Sequence, residues 1–381
     1  MLRLAGTILR GRTLADGVVT VRDGRLAGGA RREATRKLPP GWIVSPGFVD
    51  LQVNGFAGAE VGADPDALAA VAAALPAAGV TAFCPTLVSR ADAAYRRAAA
   101  ALARTRVLEG AARPLGVHLE GPFLAPSRHG AHDPAALRDP TPEAVDRLLA
   151  AFAPAIVTLA PERPGGLAAV RRIARSGCIA AVGHTEADAG QGRAAIAAGA
   201  RLLTHALNAM RGIAGREPSA VAAFLAHPRA RVSLIGDGVH VAPEVAAVIA
   251  RAAGARLILV SDAVAAAGAP PGRYRLGPRT IVSDGARATL PRGGPAGAVA
   301  GLDRGPATLV AAGIAPGAAL AAATTAPRRL LGLEPGLEPG GPADLTILDE
   351  SLVPRLTLVG GRVAYADDAL PFDVPERGRP V

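Results

Sequence analysis

Residues 179–205, IAAVGHTEADAGQGRAAIAAGARLLTH, decide the fold. An apolar run, Ile179 to Val182, passes across Gly183 to His184; an Ala-rich segment of helical length follows, and a second run, Leu202 and Leu203, ends at Thr204 and His205. A strand buried on both faces reads as an unbroken apolar run, and two such strands joined by a helix make a parallel βαβ unit. The pattern recurs on both sides. Val80 to Cys84, Leu115 to Leu119, Ile156 to Leu159, Val232 to Ile235 and Leu257 to Val260 are comparable runs, most of them followed by Ala-rich segments. This predicts an α/β fold, a (β/α)8 TIM-like barrel in preference to an open sheet. A dinucleotide fold has no support, because no Gly-x-Gly-x-x-Gly turn follows an early strand.

The flanks read differently. Residues 2–9, 17–22 and 42–45 are β-rich runs separated by turns; residues 273–290 are again strand-like, 307–331 helical, and 343–348 and 356–366 hairpin-like. The expected arrangement is a barrel over residues 47–330 inserted into a small composite β-sandwich domain, formed by the N- and C-terminal segments 1–46 and 331–381.

Composition narrows the function. Half of the 381 residues are hydrophobic and 19% are charged, enough to build a core and to exclude wholesale disorder. Lys and Arg number 42 against 32 Asp and Glu, a net charge of +10, and Lys37 is the single lysine. The arginines are spread along the chain and only 3% of residues are aromatic, so no nucleic acid partner is expected. Two cysteines, Cys84 and Cys178, exclude a disulfide framework. The first residues lack the apolar core of a signal peptide, and Ala-rich stretches such as 67–79, broken by Pro76, are too short to cross a bilayer. No membrane association and a cytoplasmic location are expected.

In a barrel, catalytic groups stand at the carboxyl ends of the strands. The polar residues ending the apolar runs are Glu120, His184, His205 and Asp262. Each alone has a plain structural explanation, a satisfied histidine or a helix N-cap. Together they offer one carboxylate and two imidazoles for a divalent metal, with a second carboxylate beside them to handle a proton. His118, two residues before Glu120, shares its face on a strand. His129 and His227 read as surface residues, and Arg96, Arg97, Arg171 and Arg172 as solvated helix faces.

A family resemblance rests on motifs running in order: PGFVDLQVNG from Pro46, HLEGPF from His118, GAHDP from Gly130, GHT from Gly183, THALNAM from Thr204, GREP from Gly215, DGVH from Asp237 and SDA from Ser261. Together they resemble the N-acetylglucosamine-6-phosphate deacetylases of the amidohydrolase superfamily, and PADLTILD from Pro342 is similar to that superfamily's terminal β-domain. The resemblance implies one divalent metal ion per subunit on Glu120, His184 and His205, with zinc favoured over iron, manganese or cobalt. Gln52 and Asn54 stand where most amidohydrolases carry a His-x-His pair for a second metal. By the same resemblance, metal-bound hydroxide attacks the N-acetyl group, Asp262 is general base and then acid, and His132 polarises the carbonyl. Asn208, Ala209, Arg216 and His240 match positions that contact the phosphorylated amino sugar. A homodimer is implied.

One departure is visible: Val299-Ala300-Gly301-Leu302-Asp303-Arg304 stands where the family usually has an Ala-Gly-Ser type segment lining the site. Sugar and acyl preference are therefore open. The competing readings are a deacetylase of a related or unphosphorylated N-acyl amino sugar, an N-acyl amino-acid deacylase, and a barrel scaffold without activity.

Overall fold

The structure is a computed structural model and describes residues 1–28, 34–334 and 336–381. Eight parallel strands form the barrel: β1 (Phe48–Val53), β2 (Val80–Val88), β3 (His118–Glu120), β4 (Ile156–Leu159), β5 (Ile179–Val182), β6 (Leu202–Leu203), β7 (Arg231–Ile235) and β8 (Leu257–Val260). Each pairs with the next in chain order. Seven of the eight are the apolar runs. The first, β1, escaped the apolar-run criterion because Asp50 and Gln52 interrupt it.

Alternation along the strands sorts the core into two shells. Ile156, Ile179, Ala181, Leu202, Ile258 and Val260 fill the barrel interior. Val157, Leu159, Val182, Leu203, Val232 and Leu259 face the surrounding helices. The helix Gly166–Arg175 shows the outer logic, burying Ala169, Val170 and Ile173 on one stripe and leaving Arg171 and Arg172 outside. Above the apolar layer lies a polar one. His118 Nδ1 donates to the Leu51 carbonyl at 2.9 Å, so Nε2 is left to accept from the Thr158 hydroxyl at 2.8 Å, which bonds Thr204 in turn. His118 is thus a satisfied interior residue.

The seam between β1 and β8 has no continuous ladder. It is joined by an isolated parallel bridge, Val53 with Ala263, and by side chains. Asp50 Oδ1 accepts the backbone N–H groups of Gln52 and Ser261, both at 3.2 Å, and the Ser261 hydroxyl donates to the Gln52 carbonyl. The opposite end is sealed by Ala326 and Leu330, and the buried Arg328 reaches the Gly47 carbonyl at 3.1 Å. The segment expected as one helix over 307–331 is three, Arg304–Ala311, Pro316–Ala323 and Thr325–Leu331, divided at Gly313 and Thr324.

The chain ends share one sheet. Its order is Arg362–Ala366, Pro354–Val359, Leu345–Leu348, Ile43–Pro46, Leu2–Arg10, Thr13–Arg22, Arg25–Ala27, with Arg36–Lys37 also on Leu2–Arg10. The N- and C-terminal segments meet where Leu345–Leu348 runs antiparallel to Ile43–Pro46. Leu4, Ile8, Val21, Val44, Ile347 and Leu356 form its separate core. A third sheet, Gly272–Leu276, Arg279–Ser283 and Ala288–Thr289, stands over the mouth of the barrel, anchored where Arg279 donates to the His132 carbonyl at 2.9 Å.

Candidate active site

The four residues that end apolar runs converge at one end of the barrel. Glu120 closes β3, and His184, His205 and Asp262 follow β5, β6 and β8. Gly183 is required before His184, since a Cβ there would lie 2.8 Å from Thr158 and 2.9 Å from Thr204. His184, His205 and Asp262 all have positive φ, 49°, 29° and 52°, as do Leu207 and Ala209 at 75° and 48°. Left-handed backbone at non-glycine residues costs roughly 1–3 kcal/mol each. The turns that aim these side chains inward are therefore strained, and the strain concentrates at the site.

Ligand atoms of Glu120, His184 and His205 lie within 4.8 Å of one another, and all three residues are buried. The His184 Nε2 and His205 Nε2 atoms are 3.3 and 2.8 Å from Glu120 Oε1. His184 Nδ1 is 2.8 Å from the Arg128 carbonyl, which can only accept, so Nδ1 carries the proton and Nε2 keeps a lone pair for a cation. Burial opposes charge on Glu120, yet the surrounding imidazoles of His132, His184 and His205 hold its carboxyl well below the usual carboxylate range. One anionic carboxylate and two imidazole nitrogens on converging strands fit a divalent cation with an open position. These residues could hold a metal.

His132 stands beside them. Its Nδ1 accepts the Ser89 backbone N–H at 3.1 Å and lies 2.9 Å from the Ser89 hydroxyl, which assigns the proton of the neutral ring to Nε2. That nitrogen faces Glu120 Oε2 at 3.5 Å. Burial, with the charge of His184, pushes the His132 pKa down to about 4. A neutral donor is thus directed into the site.

Asp262 is held by two amides at the end of β1. Gln52 Nε2 donates to Asp262 Oδ1 at 3.0 Å and to Glu120 Oε1 at 2.8 Å, and Asn54 Nδ2 donates to Asp262 Oδ1 at 2.8 Å. Burial and the charge of Glu120 push the Asp262 pKa up to about 6. A carboxyl tuned toward neutrality suits proton transfer in both directions.

The cavity has two parts. An inner space of about 90 Å³ touches Glu120, His132, His184, His205, Ala209 and Asp262. It continues past Asn208, His240, Pro295 and Gly297 into an outer chamber of about 390 Å³. His240 therefore lines its own chain's site. Its Nδ1 donates to Asp237 Oδ2 at 2.7 Å, and Asp237 Oδ1 accepts the N–H groups of Val239 and His240 at 2.9 Å. Arg216 does not join it: it lies in the exposed segment 212–218. Leu302 is also not at the site, being 2% exposed in the packing between barrel and helices. Asp303 and Arg304 line a neighbouring space of about 850 Å³ instead. The cavity wall in this part of the chain is Gly294, Pro295, Gly297 and Val299.

An amidohydrolase family profile matches residues 43–365. This chain is an amidohydrolase. It is 36% identical to an N-acetylglucosamine-6-phosphate deacetylase of Danio rerio, over 85% of this chain and 84% of that one. It is 33% identical to an N-acetylgalactosamine-6-phosphate deacetylase of Escherichia coli O157:H7, over 92% and 93%. Among solved structures, an Asp-to-Ala mutant of N-acetyl-D-glucosamine-6-phosphate deacetylase from Mycobacterium smegmatis, in complex with N-acetyl-D-glucosamine-6-phosphate, superposes with a TM-score of 0.89 at 36% identity. That match covers 96% of this amidohydrolase and 99% of the other chain.

Sequence reasoning missed several residues that position this amidohydrolase's site. Asp50, Ser89, Asp237 and Arg279 act through backbone groups or through other side chains. Only Asp237 left a usable signal, its three-residue spacing from His240 in DGVH.

Proposed function

We propose that this amidohydrolase cleaves the amide of N-acetyl-D-glucosamine 6-phosphate, giving D-glucosamine 6-phosphate and acetate. The observation that carries the reading is the buried meeting of Glu120, His184 and His205 with the amide-clamped Asp262. Relatives that share about a third of its residues over nearly all of its length support the substrate. We assign the metal to Glu120, His184 and His205, and choose zinc because two nitrogens and one carboxylate oxygen suit it. Bound there, the ion supplies Lewis acidity that polarises the acetyl carbonyl and acidifies a water.

The protein's own groups do the rest. Asp262 Oδ1 is engaged by both amides, so Oδ2 takes the proton of the attacking water and delivers one to the departing amine nitrogen. His132 donates Nε2–H to the oxygen that becomes negative in the tetrahedral transition state. The outer chamber receives the sugar, with Asn208, Ala209 and His240 toward its phosphate or hydroxyls. Arg216 is assigned to the phosphate, and this reading includes a homodimer in which its exposed segment enters the neighbouring site. We take residues 47–330 as the catalytic domain, 1–46 with 331–381 as the β-domain, and the cytoplasm as the place of action. No helix among the described residues is long and apolar enough to cross a membrane.

The test is acetate release by metal-loaded protein. Turnover of the 6-phosphate, with much weaker turnover of N-acetylglucosamine itself, is expected; no acetate from any phosphorylated N-acetylhexosamine sinks the assignment. A second reading, the galactosamine epimer, is favoured by the Escherichia coli relative. Relative kcat/KM for the two epimers separates them.

A further inference from the structure

At the end of the barrel opposite the site, a cleft of about 720 Å³ is walled by arginine. Arg193 comes from the helix Ala189–Ala197, Arg201 precedes β6, and Arg229 and Arg231 lie at the start of β7, with His227 beside them. No carboxylate lines it. Elsewhere the arginines of this chain are commonly neutralised: Arg128 by Glu186, Arg163 by Asp139, Arg172 by Asp146, Arg355 by Asp349 and Asp367. Among the described residues, none of the four cleft arginines makes such a pair.

The environment of Arg231 is one-sided. Burial, reinforced by the charges of Arg201, Arg329 and Arg256, holds its guanidinium below the ordinary arginine range, with no acidic group opposing. His227 adds a donor of fixed direction. Its Nδ1 accepts the N–H groups of Arg229 at 3.3 Å and Ala230 at 3.1 Å, so the neutral ring carries its proton on Nε2. Like charges held together in a concave site destabilise the protein until an anion joins them, and guanidinium forks match phosphate oxygens in pairs. The volume falls within the range of small-molecule sites.

We propose that this cleft is a second, non-catalytic site for a small phosphorylated anion. Four guanidinium groups suit a ligand with two phosphate groups better than one with a single phosphate. The assignment is independent of the chemistry at the other end of the barrel.

Isothermal titration of the metal-loaded full chain with fructose 1,6-bisphosphate and, separately, inorganic phosphate tests it. The bisphosphate should bind more tightly than phosphate. Its affinity should fall at least about tenfold in Arg193→Ala/Arg229→Ala and in Arg231→Met. Acetate release without added anion should be unchanged in both variants, and Arg229→Lys should recover part of the loss. The surface double variant guards against misfolding of the Arg231 variant. Equal affinity in wild type and variants would place all binding elsewhere and overturn the site. So would absence of heat at millimolar bisphosphate, or tighter binding of a mixed-sequence oligonucleotide that the same substitutions abolish.

Discussion

Asp50 is a buried carboxyl and Asp262 a half-buried one, both near the seam of the barrel, and their surroundings give them different work. Asp262 faces the cavity, so Asp262→Asn should keep the hydrogen-bonded geometry while removing proton transfer. A fall in kcat of about 10²- to 10⁴-fold is expected, with metal content by mass spectrometry unchanged. Asp50 faces the seam, and its Oδ2 has no partner. Burial, opposed by hydrogen bonds from Ser261 and Gln52, pushes its pKa up to about 7 from an ordinary 3.8. A raised carboxyl pKa makes a stabilising contribution that is complete below the unfolded value and lost as pH rises through the folded one. Asp50→Asn retains an acceptor for both N–H groups and removes the titration. The wild type should therefore lose stability relative to the variant between pH 4 and pH 7, on the order of a few kcal/mol, as read from denaturant midpoints.

At the scale of elements, the site is an agreement among strand ends. Glu120, His184 and His205 come from three strands, so a bound cation would cross-link β3, β5 and β6. Chelation should lower Tm by several degrees, and readdition of zinc should restore it; ligand at 1,000 times its dissociation constant adds about 4 kcal/mol. The covering sheet reaches the site through Arg279. Arg279 holds the His132 carbonyl, so Arg279→Ala should free that histidine and lower kcat roughly ten- to a hundredfold, with KM and metal content nearly constant. Apolar runs located seven of the eight strands because a fully buried strand must be apolar. They missed β1 because its Asp50 and Gln52 serve the seam and the site, so its pattern departs from that of a plain core strand.

Over the whole molecule, the buried Asp344 ties the terminal sheet to the barrel. Its carboxylate receives a bidentate pair from Arg113, at 2.7 Å for one arm, and the Gly360 N–H at 2.8 Å, while its carbonyl takes the Gly47 N–H at 3.0 Å. Arg113 is 41% exposed at its side chain, which softens the loss of the pair. Asp344→Ala should cost about 2 kcal/mol, measured as a shift in the urea midpoint. The +10 charge, which says little as a sum, acquires a location in the cleft below the barrel, whose arginines have no carboxylate partner.

The sequence by itself determined the α/β barrel with its flanking β segments, and the four residues that end its strands, because burial on both faces and a strand-end position leave local marks. Only the tertiary structure decided what each of these residues touches. Gln52 and Asn54 clamp Asp262; His118 is a satisfied interior group; Leu302 belongs to the core; and Arg216 lies outside its own cavity. Periodicity records which face of an element is buried. The partners on that face come from strands up to about two hundred residues away, and no local pattern encodes them.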